Sequence, residues 1–164
     1  VSGPKVLNTK EAIVGLRDFK TDKKAEQEGI WIHFAGVCKI LCKRAGQSNK
    51  KFQKAFQKST RPHRHNIEND TVDNDIIVKI LASLYVDYLI LEWQTWKPDI
   101  DHLEGGTWEP GIESPEDETE IVPATKELMV RQLIEAEELF DAVRAESTKA
   151  SNFRAASREE DSEN

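Results

Sequence analysis

What this chain has little of narrows its possibilities quickly. Cysteine occurs twice in 164 residues, as Cys38 and Cys42, too few for a disulfide framework and four apart rather than in the CxxC spacing of redox or zinc sites. As i, i+4 neighbours they read most simply as small apolar fillers. Aromatic residues make up only 7%, and four of the six prolines crowd into residues 97–123, so most of the chain is free to form regular structure. GxxxxGK[ST], GxGxxG after a strand, HExxH and GxSxG are all missing. The chain is therefore read as a non-enzyme with no cofactor. No stretch joins a basic end to an apolar run and a small-residue cleavage site. The longest apolar block carries Lys79 and Asp87, short of the roughly 20 nearly uncharged residues a membrane span needs. A cytoplasmic protein with no membrane partner is expected.

What is present is an uneven distribution of charge. The net charge of -7 divides into +9 over residues 1–69 and -16 over residues 70–164. Such asymmetry points to two halves that attract each other or to two surfaces with different partners.

The chain is organised around its apolar block, Thr71 to Trp96. Read as a helix, it places Ile76, Ile80, Leu84, Tyr88 and Leu91 on one stripe, with Ile77, Leu81, Tyr85 and Leu89 beside them. Thr71, Asp73 and Asn74 supply a start signal, and Pro98 a stop. A helix so apolar has to be enclosed by other elements or by a partner. The expected fold is mainly α within the α+β class: a helical domain spanning 1–146, built around one long buried central helix, with a small β-hairpin. A loop at 97–123 belongs to that domain, and an acidic flexible tail at 147–164 follows it.

The flanking segments read as wrapping for this rod. Lys10 to Lys20 has Ile13, Leu16 and Arg17 at loose helical spacing. Around Gly29–Lys43, Ile30, Ile32 and Phe34 alternate with Trp31, His33 and Ala35, which predicts a strand. A turn at Ala35-Gly36 into a second strand, with Ile40 and the cysteines on one face, completes a hairpin. A helix from Val37 to Arg44 is the alternative, and the hairpin's sheet closes within the monomer or across a subunit boundary. Ser48 then caps a short basic helix, Asn49 to Lys58, with Phe52 and Phe56 on one face; Pro62 ends it, and a polar connector follows. Residues 97–123 predict an irregular loop anchored by Trp108 and Ile112. From Thr125, residues Met129, Leu133, Ala136, Phe140 and Val143 form one apolar seam. A break near Glu137-Glu138 would divide it into two helices.

Candidate chemistry is sparse. His63 and His65 have an H-x-H spacing but no carboxylate or thiolate at matching distance, so no metal site is expected. Asp99-Ile100-Asp101 opens like a calcium loop and then fails, because Gly105 and Pro110 fall at the wrong positions. Lys39–Arg64, with Phe52 and Phe56 interleaved, is the best nucleic-acid candidate. Helical spacing nonetheless turns both rings inward, and nucleic acid is not the expected partner. Trp93, Trp96 and Trp108 gather where the central helix meets the loop, as core or as an exposed indole groove. The candidate protein-binding residues are therefore Phe52, Phe56, Trp93, Trp96 and Trp108.

The order of segments also resembles a known group. FKTDKKAEQEGIWIHF, SNKKFQKAF, the apolar helix ending in LILEW, the loop GTWEPGIE, and ELFDAVRAESTKASNFR with its acidic tail are similar to the small α-rich tail assembly chaperones and minor tail proteins of long-tailed bacteriophages. The resemblance covers about residues 18–160. It implies a non-enzymatic protein that binds the tape-measure protein and keeps it soluble while tail-tube protein polymerises around it in the host cytoplasm. A homo-oligomer is compatible with that role. The alternative is a structural virion component, a minor tail or connector protein.

Overall fold

The structure, a computed structural model, describes residues 15, 16, 20–102 and 104–154. The helix expected over Lys10 to Lys20 lies largely outside the described residues. The first regular element, α1 (Lys23–Glu28), is capped by Asp22, whose carboxylate accepts the Lys24 N–H at 2.9 Å. Gly29 follows at φ 83°, where a Cβ would press on the Cys42 backbone. Only glycine fits that approach. The hairpin forms as β1 (Ile30–Phe34) and β2 (Cys38–Cys42), antiparallel, with the Val37 N–H donating to the Phe34 carbonyl at 2.9 Å to close the turn. Ile30, Ile32, Cys38, Ile40 and Cys42 are all buried, the period-two pattern of a sheet covered on one side.

The central rod is the main correction. Only Asn74–Tyr88 is helical (α4), started by Asp73, whose carboxylate accepts the Asp75 N–H; the chain then reverses character and continues as a nine-residue strand, β3 (Ile90–Pro98). β3 pairs with β2 in the same chain, so the hairpin's sheet closes within the monomer. The physical reason lies in the residues from Ile90 onward. Ile90, Trp93 and Thr95 are buried, while Glu92, Gln94 and Trp96 are not, and that polar-apolar alternation from Glu92 satisfies a sheet better than a helix. Leu91 sits where the register with β2 shifts and is 49% exposed, and Tyr88 is 40% exposed. Both fall on the apolar stripe that a helix over 71–96 predicts. Leu89, fully buried, donates its N–H to Tyr85 and accepts one from Lys43, which fixes the junction.

The segment 97–123 is likewise not irregular throughout. It contains β4 (Gly106–Pro110), antiparallel to β3, and a two-residue ladder of β5 (Ile112–Glu113) with β6 (Ile121–Val122). The main sheet thus has four strands in the order β1-β2-β3-β4. A helical domain around a single long helix with only a small hairpin is overturned: helices are layered on one face of a four-stranded antiparallel sheet. Gly111 (φ 129°) turns the chain from β4 into β5, its carbonyl accepting the buried Thr95 hydroxyl at 2.9 Å.

The helical layer comprises α2 (Lys50–Thr60), α4, α5 (Lys126–Glu135) and α6 (Glu137–Thr148), while α3 (Arg64–Glu68), exposed throughout, stands outside it. Asn49 rather than Ser48 caps α2, its side chain accepting the Phe52 N–H at 3.1 Å. The expected polar connector is a 3-10 turn (Arg61–His63) followed by α3. The C-terminal seam divides at Ala136 into α5 and α6, and Leu133, Phe140 and Val143 are all buried. Phe52, Tyr85 and Phe140 meet edge to face at 5.5 and 5.3 Å, so one row of rings joins α2, α4 and α6.

A flexible tail does not begin at Ser147. The Ser147 hydroxyl is buried, donates to the Arg144 carbonyl and accepts from Tyr85 at 3.0 Å. Phe153, in a 3-10 turn over Ala150–Phe153, is fully buried, and its carbonyl accepts the Asp22 N–H at 2.7 Å. One aromatic side chain suffices to pin this segment, because a fully buried Phe contributes about 1.5–3 kcal/mol of transfer free energy. Residues 155–164 of the expected tail lie outside the described residues.

Candidate interaction surface

Strand alternation gives the four-stranded sheet two unlike faces. The inner face carries Ile30, Ile32, Cys38, Ile40, Cys42, Trp93 and Thr95 and joins one apolar core with the helices. The outer face carries Trp31 and His33 on β1, Lys39 and Leu41 on β2, Gln94 and Trp96 on β3, and Trp108 on β4. The register sets this assignment: Trp31 faces Leu41, His33 faces Lys39 and then Gln94, and Trp96 faces Trp108. None of these seven side chains is fully buried.

The outer residues contact one another from strand to strand. The Trp96 and Trp108 rings meet edge to face at 5.0 Å. Trp108 reaches across β3 and β2 to within 6.1 Å of the His33 ring. Between them the Lys39 ammonium lies 4.5 Å from the Trp31 ring centroid and 5.1 Å from that of Trp108. Each cation–π contact at a partly exposed site is worth about 0.5–1 kcal/mol. Held on both sides, the lysine and the rings form a stiff surface whose ordering cost is met before any partner arrives. Gly106 makes room for it: a Cβ there would collide with the Trp96 indole, so the ring lies directly over the β4 backbone.

The five candidate residues separate on this geometry. Trp96 and Trp108 come together on the outer face. Trp93, three residues before Trp96, is on the opposite face and only 5% exposed. Phe52 is buried against Tyr85, with Phe56 stacked beside it at 6.5 Å. Trp31, His33 and Lys39 are the members that sequence reasoning passed over. The signal was there in the alternation of Trp31 and His33 with Ile30 and Ile32, which puts both on the face away from the core. Cys38 and Cys42 are buried in the core as fillers, without a disulfide. Among the described residues no cluster of three or more His, Cys, Asp or Glu could hold a metal ion, and no helix is long and apolar enough to cross a membrane.

A protein-family model described as "YdaY prophage protein" matches residues 47–164. The chain belongs to the YdaY prophage protein family. It is therefore phage-derived. Within the matched span lie α2 through α6, together with Trp96 and Trp108; Trp31, His33 and Lys39 precede it. Neither a curated protein nor a solved structure matches the chain.

Proposed function

We propose that this YdaY-family chain is a non-enzymatic phage tail assembly chaperone, binding the tape-measure protein through the outer face of its sheet in the host cytoplasm, with tail-tube protein as a second partner. The observation that carries the reading is the Trp31–Lys39–Trp108–Trp96 surface, which spans all four strands on the face away from the helical layer. Tryptophan side chains concentrate binding energy because each offers a large, rigid, amphipathic area with little entropy left to lose. A tape measure is a long, largely helical chain whose apolar seam needs cover until tube subunits enclose it. An aromatic face with one fixed cation suits such a seam. Prophage family membership and the segment-by-segment resemblance to tail assembly proteins support the same reading.

The test is co-expression with the tape-measure protein encoded in the same prophage. Co-purification and a gain in tape-measure solubility are expected, together with absence of the chain from finished virions. Loss of both effects in Trp96→Ala/Trp108→Ala would tie them to this surface. A chain found in purified particles at fixed copy number would instead make it a structural tail component.

A further inference from the structure

A second surface, distinct from the tryptophan face, follows α2 into α3. Lys50, Lys51, Lys54, Lys58, Arg61 and Arg64 are all exposed. Among the described residues, none of these six lies within ion-pairing distance of a carboxylate, whereas Lys23, Lys24, Arg44, Lys97, Lys126, Arg131, Arg144 and Lys149 each have an acidic partner. No Asp or Glu occurs between Lys39 and Ile67. Lys50, Lys54 and Lys58 repeat at i, i+4, so like charges stack along one face and weaken the helix that carries them. Without an acidic partner among the described residues, such a row concentrates positive potential on one side of the molecule.

The complementary surface is in the same chain. The turn between β5 and β6 exposes Glu116, Glu118 and Glu120, also without a cationic partner among the described residues. That turn is held in shape from within. The Asp117 carboxylate accepts from the Thr119 N–H at 3.0 Å and from its hydroxyl at 2.7 Å, the Glu116 N–H donates to the Ser114 hydroxyl, and the Ser114 N–H donates to the Glu120 carbonyl at 2.8 Å. Three carboxylates are thus presented by a pre-ordered loop, and no ion pair joins them to the basic face of their own molecule.

We infer that the α2–α3 face is a docking surface for the β5–β6 turn of a second copy of this chain. The contact is heterologous: each molecule offers a basic face and an acidic turn, so association propagates head to tail rather than closing as a two-fold dimer. Nucleic acid is the weaker occupant, because Phe52 is buried and Phe56 stacks on it, which leaves only the His63 and His65 imidazoles on this face for bases to stack upon. The inference stands apart from the tape-measure proposal and does not need it.

Sedimentation of the full chain tests it. At low salt the wild type should form concentration-dependent oligomers that dissociate in about 1 M salt, where the screening length falls to about 3 Å. Lys54→Glu/Lys58→Glu should weaken association by about tenfold or more, as should Glu116→Lys/Glu118→Lys, with far-UV circular dichroism showing both folded. Mixing the two variants supplies the decisive reading. Each alone meets like charge with like, but the mixture regains one reversed contact of glutamates against lysines and one wild-type contact, so association should return. A monomeric wild type at low salt, no recovery on mixing, or unchanged association in either variant would overturn the inference. So would salt-dependent binding of double- or single-stranded DNA that Lys54→Glu/Lys58→Glu abolishes while self-association persists.

Discussion

Trp93 and Trp96 stand three residues apart on one strand and do opposite work. Trp93 points into the helical layer, is 5% exposed and belongs to the core that runs from Ile30 to Phe153. Trp96 points away from it, lies over the Gly106 backbone and meets Trp108 at 5.0 Å. The same side chain therefore serves folding on one face and, in the proposed function, recognition on the other, and only the parity of its position in β3 decides which. The difference teaches that an aromatic count says little here until the strand is recognised, because alternation assigns the roles.

Substitution on each face tests that division. Trp93→Ala empties a core position shared by β2, β3 and the helices, and should cost about 3–5 kcal/mol in urea unfolding. Trp96→Ala removes one ring contact and should cost about 1 kcal/mol, and Trp108→Ala removes its contacts with Trp96, His33 and Lys39 and should cost about 2 kcal/mol, each while weakening capture of a partner. If Trp108→Ala destabilised the chain as much as Trp93→Ala, the outer face would be core and the contrast would fail. Tyr85→Phe should fall between surface and core in kind: its ring stays between Phe52 and Phe140, but the hydroxyl that Ser147 accepts is lost. About 1 kcal/mol is expected, because a single buried hydrogen bond contributes about that much net. A melting profile identical to wild type would show that the Tyr85–Ser147 bond does not hold α6 to α4.

The same contrast explains what could be read from residues alone. The β1–β2 hairpin was legible because its alternation is short, regular and bounded by Gly29 and Gly36. The C-terminal seam was legible too, and its break near Glu137 was foreseen as one of two outcomes. The rod over 71–96 was misread because apolar residues are so dense from Ile76 to Leu91 that they fit almost any period. The polar members that reveal the strand, Glu92 and Gln94, come only at its end. A helical reading of β3 deprives β4 of a strand to pair with, so 97–123 then reads as loop. Trp93, Trp96 and Trp108 then became one cluster, although the sheet places Trp93 on the other side. Phe153 stands alone in a polar stretch, and composition carries no information about a single anchoring side chain.

Base provides the finest test, since it reaches the buried thiols and phenol of the core. Burial pushes the Cys42 thiol up to about 12 from its ordinary 9.0, and burial, then the nearby Glu113 carboxylate, does the same for Cys38. Tyr85 is raised to about 12 from 10.0, by burial first, against the opposing hydrogen bond with Ser147. In the unfolded chain these groups lose their protons at the ordinary values, so between about 9 and 12 the folded state binds more protons than the unfolded one. Stability must then fall as pH rises through that window and be untouched below it. Urea midpoints measured on both sides of pH 9.0 should show the fall. Cys42→Ala should make it shallower. Equal slopes in wild type and Cys42→Ala would mean that the thiol ionises without leaving the core, and the inner face would then be far less closed than its packing implies.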